Sequence, residues 1–182
     1  VRARGFTLLE ILIAMLVLAL GILGGVALQL AALRARQQSV LLSQATQMAT
    51  ALAERMRANP AQHDTYLTFD YDAFVEPAPG APAALCYAGA GAGACSAQQL
   101  ALADLYEAKS QMRSHLPAGR VVVCRDAGLW SGGKLHWSCS GGVAAPTVVK
   151  VGWRGKRPDG TQDKTAAGEY VPSVALVVGA SP

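Results

Sequence analysis

The chain has 182 residues, of which 52% are hydrophobic and 15% charged, with a formal net charge of +4. Discounting Arg2 and Arg4 lowers the charge to +2, too mild to argue for nucleic acid. Once a long amino-terminal helix is set aside, enough chain remains for one modest domain with its own core.

The amino end opens with Arg2 and Arg4, then Gly5-Phe6-Thr7-Leu8-Leu9-Glu10, then an apolar run from Ile11 to Leu33 in which Gln29 is the only strongly polar side chain. About 20 residues at about 1.5 Å rise cross a roughly 30 Å hydrocarbon core, so the run predicts a membrane span. It exceeds the apolar region of an ordinary cleaved secretory signal. The arginines ahead of it predict a cytoplasmic amino end, with everything from about Arg34 onward extracytoplasmic. Glu10 is the anomaly. An ionised carboxylate in hydrocarbon costs a few kcal/mol, which makes an intramembrane Glu a functional candidate; the plain alternative is a simple anchor that tolerates Glu10 near one interface.

From Leu33 to Asn59 the pattern becomes amphipathic, with Leu33, Val40, Leu41, Ala45, Met48, Leu52 and Met56 recurring at three- and four-residue intervals. Asn59-Pro60 is a stop signal, because the residue before proline avoids the helical region. Phe6 to about Ala58 is therefore predicted as one helix of about 80 Å. Gly21, Gly24 and Gly25 permit either close helix packing or local loosening. Residues 61 to about 98 read as loop, and Gly89-Ala90-Gly91-Ala92-Gly93 lacks the Lys-Ser/Thr of a phosphate loop. A second helix is predicted over Ala97 to Leu116, ended by Pro117-Ala118-Gly119. Strands follow at Arg120–Arg125, Thr147–Arg154 and Tyr170–Val178, with a shorter one at Lys134–Ser138. A sheet laid on the long helix buries both apolar stripes, giving an α+β fold.

Cys86, Cys95, Cys124 and Cys139 all follow the apolar run, where an oxidising compartment favours disulfides, and their spacing lacks the close pairs of a zinc ribbon. Of three possible pairings, the local one is favoured. Cys124 and Cys139 are equidistant from a turn at Ser131-Gly132, and Cys86–Cys95 closes a loop around the Ala-Gly tract. Arg154-Gly155-Lys156-Arg157 reads as a solvated turn leading into Pro158-Asp159-Gly160, with contact to an anionic surface or DNA as the alternative. His63, His115 and His136 fit no metal or catalytic array. Asp64, Asp70 and Asp72 lack the full ligand loop of a calcium site. No metal, cofactor or catalytic residue is expected, and no enzymatic activity.

The segment Gly5 to Glu10, with its basic leader and charge-free apolar run, resembles the signal of type IV pilins and pseudopilins. That resemblance implies cleavage by prepilin peptidase between Gly5 and Phe6, N-methylation of Phe6, and an assembly contact for Glu10, paired with the new amine of a neighbouring subunit. Many major pilins carry proline where this chain has Ala27, so no proline kink is expected. Arg57-Ala58-Asn59-Pro60, Leu116-Pro117-Ala118-Gly119 and Val149-Lys150-Val151-Gly152-Trp153 are similar to the PilV-type minor pilins.

The implied layout is the end of a prepilin leader over residues 1–5 and a membrane or filament-core half-helix over 6–33. An amphipathic half-helix follows over 34–59, and a periplasmic domain with an antiparallel sheet over 60–182. The implied role is initiation of pilus assembly, in support of twitching motility, adhesion or DNA uptake. The implied partners are the major pilin, other minor pilins, prepilin peptidase, the inner-membrane assembly platform, and membrane lipid before assembly; nucleic acid is not expected as a direct ligand. The implied location is the bacterial inner membrane and then the fibre. A minor pseudopilin of a type II secretion system shares the same signal, and an anchored periplasmic enzyme or ligand-binding module is the alternative of a different class.

Overall fold

A 51-residue helix, α1 (Leu8–Ala58), dominates the computed structural model, which describes residues 7–83, 86, 95–157, 159–165 and 168–179. Thr7 caps it: its backbone is extended and its Oγ1 accepts from the N–H of Glu10 at 3.2 Å. This satisfies one of the donors that a helix start leaves free. The other end stops at Asn59, whose Nδ2 donates to the Ala97 carbonyl at 2.7 Å, and Pro60 then opens a short 3₁₀ turn (Pro60–Gln62). The predicted stop is where the helix ends.

Along α1 the residues to Gln37 are exposed, Gln38 is the first to be half-buried, and full burial begins at Ala45. Ala45, Ala49, Leu52, Ala53 and Met56 form the buried stripe. Three alanines at four-residue spacing bring the helix close to the sheet it covers, since residues four apart stack on one face.

A short helix α2 (His63–Leu67) and a three-residue strand β1 (Asp70–Asp72) follow, inside the stretch that the sequence reads as loop. Two aspartates in three residues are poor strand formers. Pairing with β2 (Arg120–Arg125) defines the strand, and Arg120 bonds both carboxylate oxygens of Asp70 at 3.2 and 2.9 Å. Helix α3 (Ala97–His115) starts in a reciprocal capping box between Ser96 and Gln99. It ends before Gly119, where an added Cβ would lie 2.9 Å from both Leu116 Cβ and the Met112 carbonyl.

The sheet is antiparallel in the order β1-β2-β5-β6, with β5 at Thr147–Gly152 and β6 at Val174–Gly179. A separate two-stranded hairpin, β3 (Trp130–Ser131) and β4 (Lys134–Leu135), turns through Gly132 and Gly133, both at positive φ. The expected α+β architecture, a long apolar helix packed on a carboxyl-terminal antiparallel sheet, is present.

Strand β2 has the expected bounds, Arg120–Arg125, whereas the other three predicted strands are shorter than the sequence pattern suggests. After Gly152 the Arg154 N–H leaves the ladder for the Pro117 carbonyl. Before Val174, Tyr170 makes only a lone bridge to Lys164, and Pro172 has no N–H to offer. The last predicted strand, Lys134–Ser138, ends at Leu135.

Every residue of β5 is buried. Val149 and Val151 join the core shared with α1. On the other face, Lys150 is enclosed by the segment that returns from the hairpin, through contacts to Asp126, His136 and Ser138.

Candidate assembly surface

The half of α1 that the domain leaves bare is the outstanding feature. Its most apolar stretch has a mean hydropathy of 2.8 and none of it is buried. Leu8 is 88% exposed and Leu28 75%, and leucines, isoleucines and valines stand out on all sides. A helix apolar all round belongs in a membrane or in the core of a larger body. It runs unbroken through Gly21, Gly24 and Gly25, with no local unwinding. Around each glycine there is open space within 4 Å, so a neighbouring helix has room to approach.

Glu10 lies in the first turn of this helix, exposed, and its carboxylate has no ion-pair partner among the described residues. Its backbone N–H is held by Thr7. A carboxylate at this end interacts favourably with the helix macrodipole. The arrangement therefore presents an acid, directed by a capped helix start, on an apolar surface that the chain itself does not cover. Gly5 and Phe6, the residues expected for cleavage and methylation, lie outside the described residues, as does the Ala-Gly tract over 88–94.

The rest of the molecule holds this helix in place. Asp104 of α3 accepts from Tyr66 Oη at 2.6 Å and from Arg55 Nη1 at 3.3 Å, tying α1, α2 and α3 together. Burial first, and then the Asp104 carboxylate, push the Tyr66 phenol well above its ordinary value. Arg57 Nε donates to the Val178 carbonyl at 3.0 Å, fixing the end of α1 to β6.

Sequence reasoning missed a fully buried ion pair on the outer face of the sheet. Lys150 Nζ donates to Asp126 Oδ2 at 2.6 Å and to the carbonyls of His136 and Ser138 at 2.8 Å each. All three ammonium hydrogens therefore have partners. Asp126 also accepts from the N–H groups of Gly128 and Ser140 at 3.0 and 3.2 Å. Burial opposes ionisation of Asp126, but Lys150 and the two backbone donors outweigh it and hold the carboxyl down at about 2. The one visible signal was a lysine within Val148-Val149-Lys150-Val151.

Two disulfides are present, Cys86–Cys95 and Cys124–Cys139, with Cα–Cα distances of 5.9 and 6.3 Å. Cys124 lies in β2, and Cys139 lies in the segment beyond β4 rather than in a hairpin strand. The bond therefore joins the sheet to the returning segment, not the two strands of one hairpin. The remaining polar candidates are scattered. His63 Nε2 lies 3.0 Å from Thr147 Oγ1, His136 Nδ1 lies 2.9 Å from Ser138 Oγ, and His115 ends α3. Asp70 and Asp72 pair with Arg120 and Arg154. Among the described residues no three His, Cys, Asp or Glu side chains converge as metal ligands would.

Residues 27–106, from within α1 to within α3, match the family described as type IV pilin Tt1218. Residues 1–26 match the prokaryotic N-terminal methylation motif. Comparison with curated proteins and with solved structures gave no match.

Proposed function

This chain is a type IV pilin-like protein, and we propose that it works as a minor pilin that takes part in initiating pilus assembly. The family is structural, and the role needs no catalytic residue. The carrying observation is the bare half of α1, apolar on every side, with the single carboxylate of Glu10 in its first turn. Before assembly this half sits in the inner membrane with the globular domain on the periplasmic side. Prepilin peptidase cuts between Gly5 and Phe6, and Phe6 becomes the methylated terminus. Glu10 then meets the Phe6 amine of a neighbouring pilin. Burying two opposite charges together in an apolar filament core, rather than one alone, favours the register in which they meet.

The PilV-type assignment belongs to the same proposal and rests on the motifs at Arg57–Pro60, Leu116–Gly119 and Val149–Trp153. So do the partners: the major pilin, other minor pilins and the inner-membrane assembly platform. Mass spectrometry of the mature amino terminus tests the reading. A methylated Phe6 that appears only in cells with the peptidase is expected, whereas retained Arg2-Ala3-Arg4-Gly5 would overturn it. Glu10→Ala should leave cleavage intact and deplete the protein from sheared fibres. Crosslinking from α1 between Leu33 and Asn59 identifies the filament. Recovery of secretion pseudopilins in place of pilins would move the assignment to a type II secretion system.

A further inference from the structure

The basic turn after β5 has no part in the reading above, and its place in the fold gives it one. Arg34 is the first charge after the apolar run, and Gln38, one turn later, is where the domain first touches α1. The segment Gly155–Arg157 folds back to this level. Arg34, Gln37, Gln38, Lys156 and Arg157 line one open cavity of about 300 Å³ at the base of the domain.

As a helix, Ile11 to Leu33 rises about 34 Å, against a hydrocarbon core of roughly 30 Å. With that run in the bilayer, the cavity falls at the level of the lipid headgroups. The local acids offset only part of this charge: Asp163 pairs with Arg157, and the Asp159 carboxylate also lies near Arg157, whereas neither pairs with Arg34 or Lys156. Asp159 is occupied by the N–H and Oγ1 of Thr161 at 2.9 and 2.7 Å. Asp163 pairs with Lys134 at 3.2 Å and with Arg157. Arg34, Arg36 and Lys156 have no carboxylate partner among the described residues.

We propose that Arg34 and Lys156, with Arg157 beside them in its ion pair with Asp163, cradle the phosphate of an anionic lipid headgroup in the leaflet beside the globular domain. The proposal rests on the reading of Ile11–Leu33 as a membrane span. The cradle joins two parts of the chain far apart in sequence, so a bound headgroup fixes the height of the domain above the bilayer while the subunit waits in the membrane. Extraction into a filament removes the lipid and releases the contact.

Native mass spectrometry of the detergent-purified full chain, titrated with phosphatidylglycerol or phosphatidylcholine, tests it. Phosphatidylglycerol is expected to bind more tightly. Lys156→Gln should weaken it about fivefold, and Arg34→Gln by a similar factor, the effect of one basic residue near an anionic surface. The charge-preserving pair Arg34→Lys with Lys156→Arg should keep the preference. Equal affinity for the two lipids, an unchanged preference in the double Gln variant, or equal affinity for soluble glycerol phosphate would each overturn the proposal. The same spectra give the mass of the amino end. A chain processed at Gly5 that ignores lipid charge sinks this inference alone, and a chain that keeps residues 1–5 beside an active peptidase sinks the pilin reading.

Discussion

Asp126 and Lys150 set the highest stakes at the scale of single residues. Removing one member of a fully buried pair strands the other charge, at about 3–5 kcal/mol. Asp126→Asn should therefore lower the thermal midpoint of the detergent-solubilised chain far more than Asp70→Asn, whose ion pair with Arg120 is partly exposed. Equal shifts for the two would show that Lys150 has another route to satisfaction. The pair also gives acid sensitivity with a definite sign. The folded carboxyl is held at about 2 while the unfolded one takes up a proton near 3.8, so the unfolded chain binds it first as the pH falls. The stabilisation is complete above the ordinary carboxylate range and is lost as the pH drops through about 2. A pH series of unfolding midpoints should fall more steeply across that window for the native chain than for Asp126→Asn. The local cysteine pairing was legible from its spacing, and Glu10 stood out as a candidate because it breaks an apolar run. Lys150 was not legible, because a lysine in a valine run reads as the solvent side of a half-covered strand. Its actual cover arrives from residues 126–140, which no local pattern ties to β5.

The long helix was the most legible element, since propensity, apolar run and the Asn59-Pro60 stop all agree. Helix α2 and β1 were not, being too short to carry a period and defined by their neighbours. The stripe expected on the second half of α1 is largely the one that meets the domain, with Ala45, Leu52 and Met56 buried and Leu41 and Met48 half-buried, but Leu33 and Val40 are exposed and the pattern missed Ala49 and Ala53. Ala49 is 1% exposed and Ala53 is 0% exposed, with the sheet and α3 packed around this stripe. Ala49→Leu should overpack the contact and destabilise the domain by about 1–3 kcal/mol, while Thr50→Leu on the exposed side should change little. Denaturant midpoints of the two variants compare them directly, and equal midpoints would show that α1 can shift to accommodate the bulk. The Cys124–Cys139 bond ties β2 to the returning segment that also carries the carbonyls bonded to Lys150. Cys124→Ser with Cys139→Ser should then destabilise by about 2–4 kcal/mol. Non-reducing peptide mapping should recover 124 with 139 and 86 with 95, and any crossed pair would refute this connectivity.

At the scale of the whole molecule, one helix belongs to two environments. Each fully buried large apolar side chain is worth about 1.5–3 kcal/mol, so the bare row from Leu8 to Leu33 represents more free energy than the about 5–15 kcal/mol that holds a typical domain together. Water is therefore excluded as its resting place, and the choice lies between lipid and other subunits. Those two are nearly equivalent in hydrophobic terms, because lipid tails are as apolar as a neighbouring leucine. What separates them is the polar end at Glu10 and the close approach open at Gly21, Gly24 and Gly25. The direction of assembly must then come from such specific contacts rather than from bulk hydrophobicity. On the proposed reading of Ile11–Leu33 as a span, the bilayer ends near Arg34. Ser39 is exposed five residues beyond Arg34, whereas Leu23 lies near the middle of the apolar run. In intact cells permeabilised only at the outer membrane, Ser39→Cys should react with a membrane-impermeant maleimide, and Leu23→Cys should react only after denaturation. Labelling of Leu23→Cys in the intact membrane would mean that the helix does not span at this register. Labelling of neither would place the domain on the cytoplasmic side, against the orientation that Arg2 and Arg4 predict.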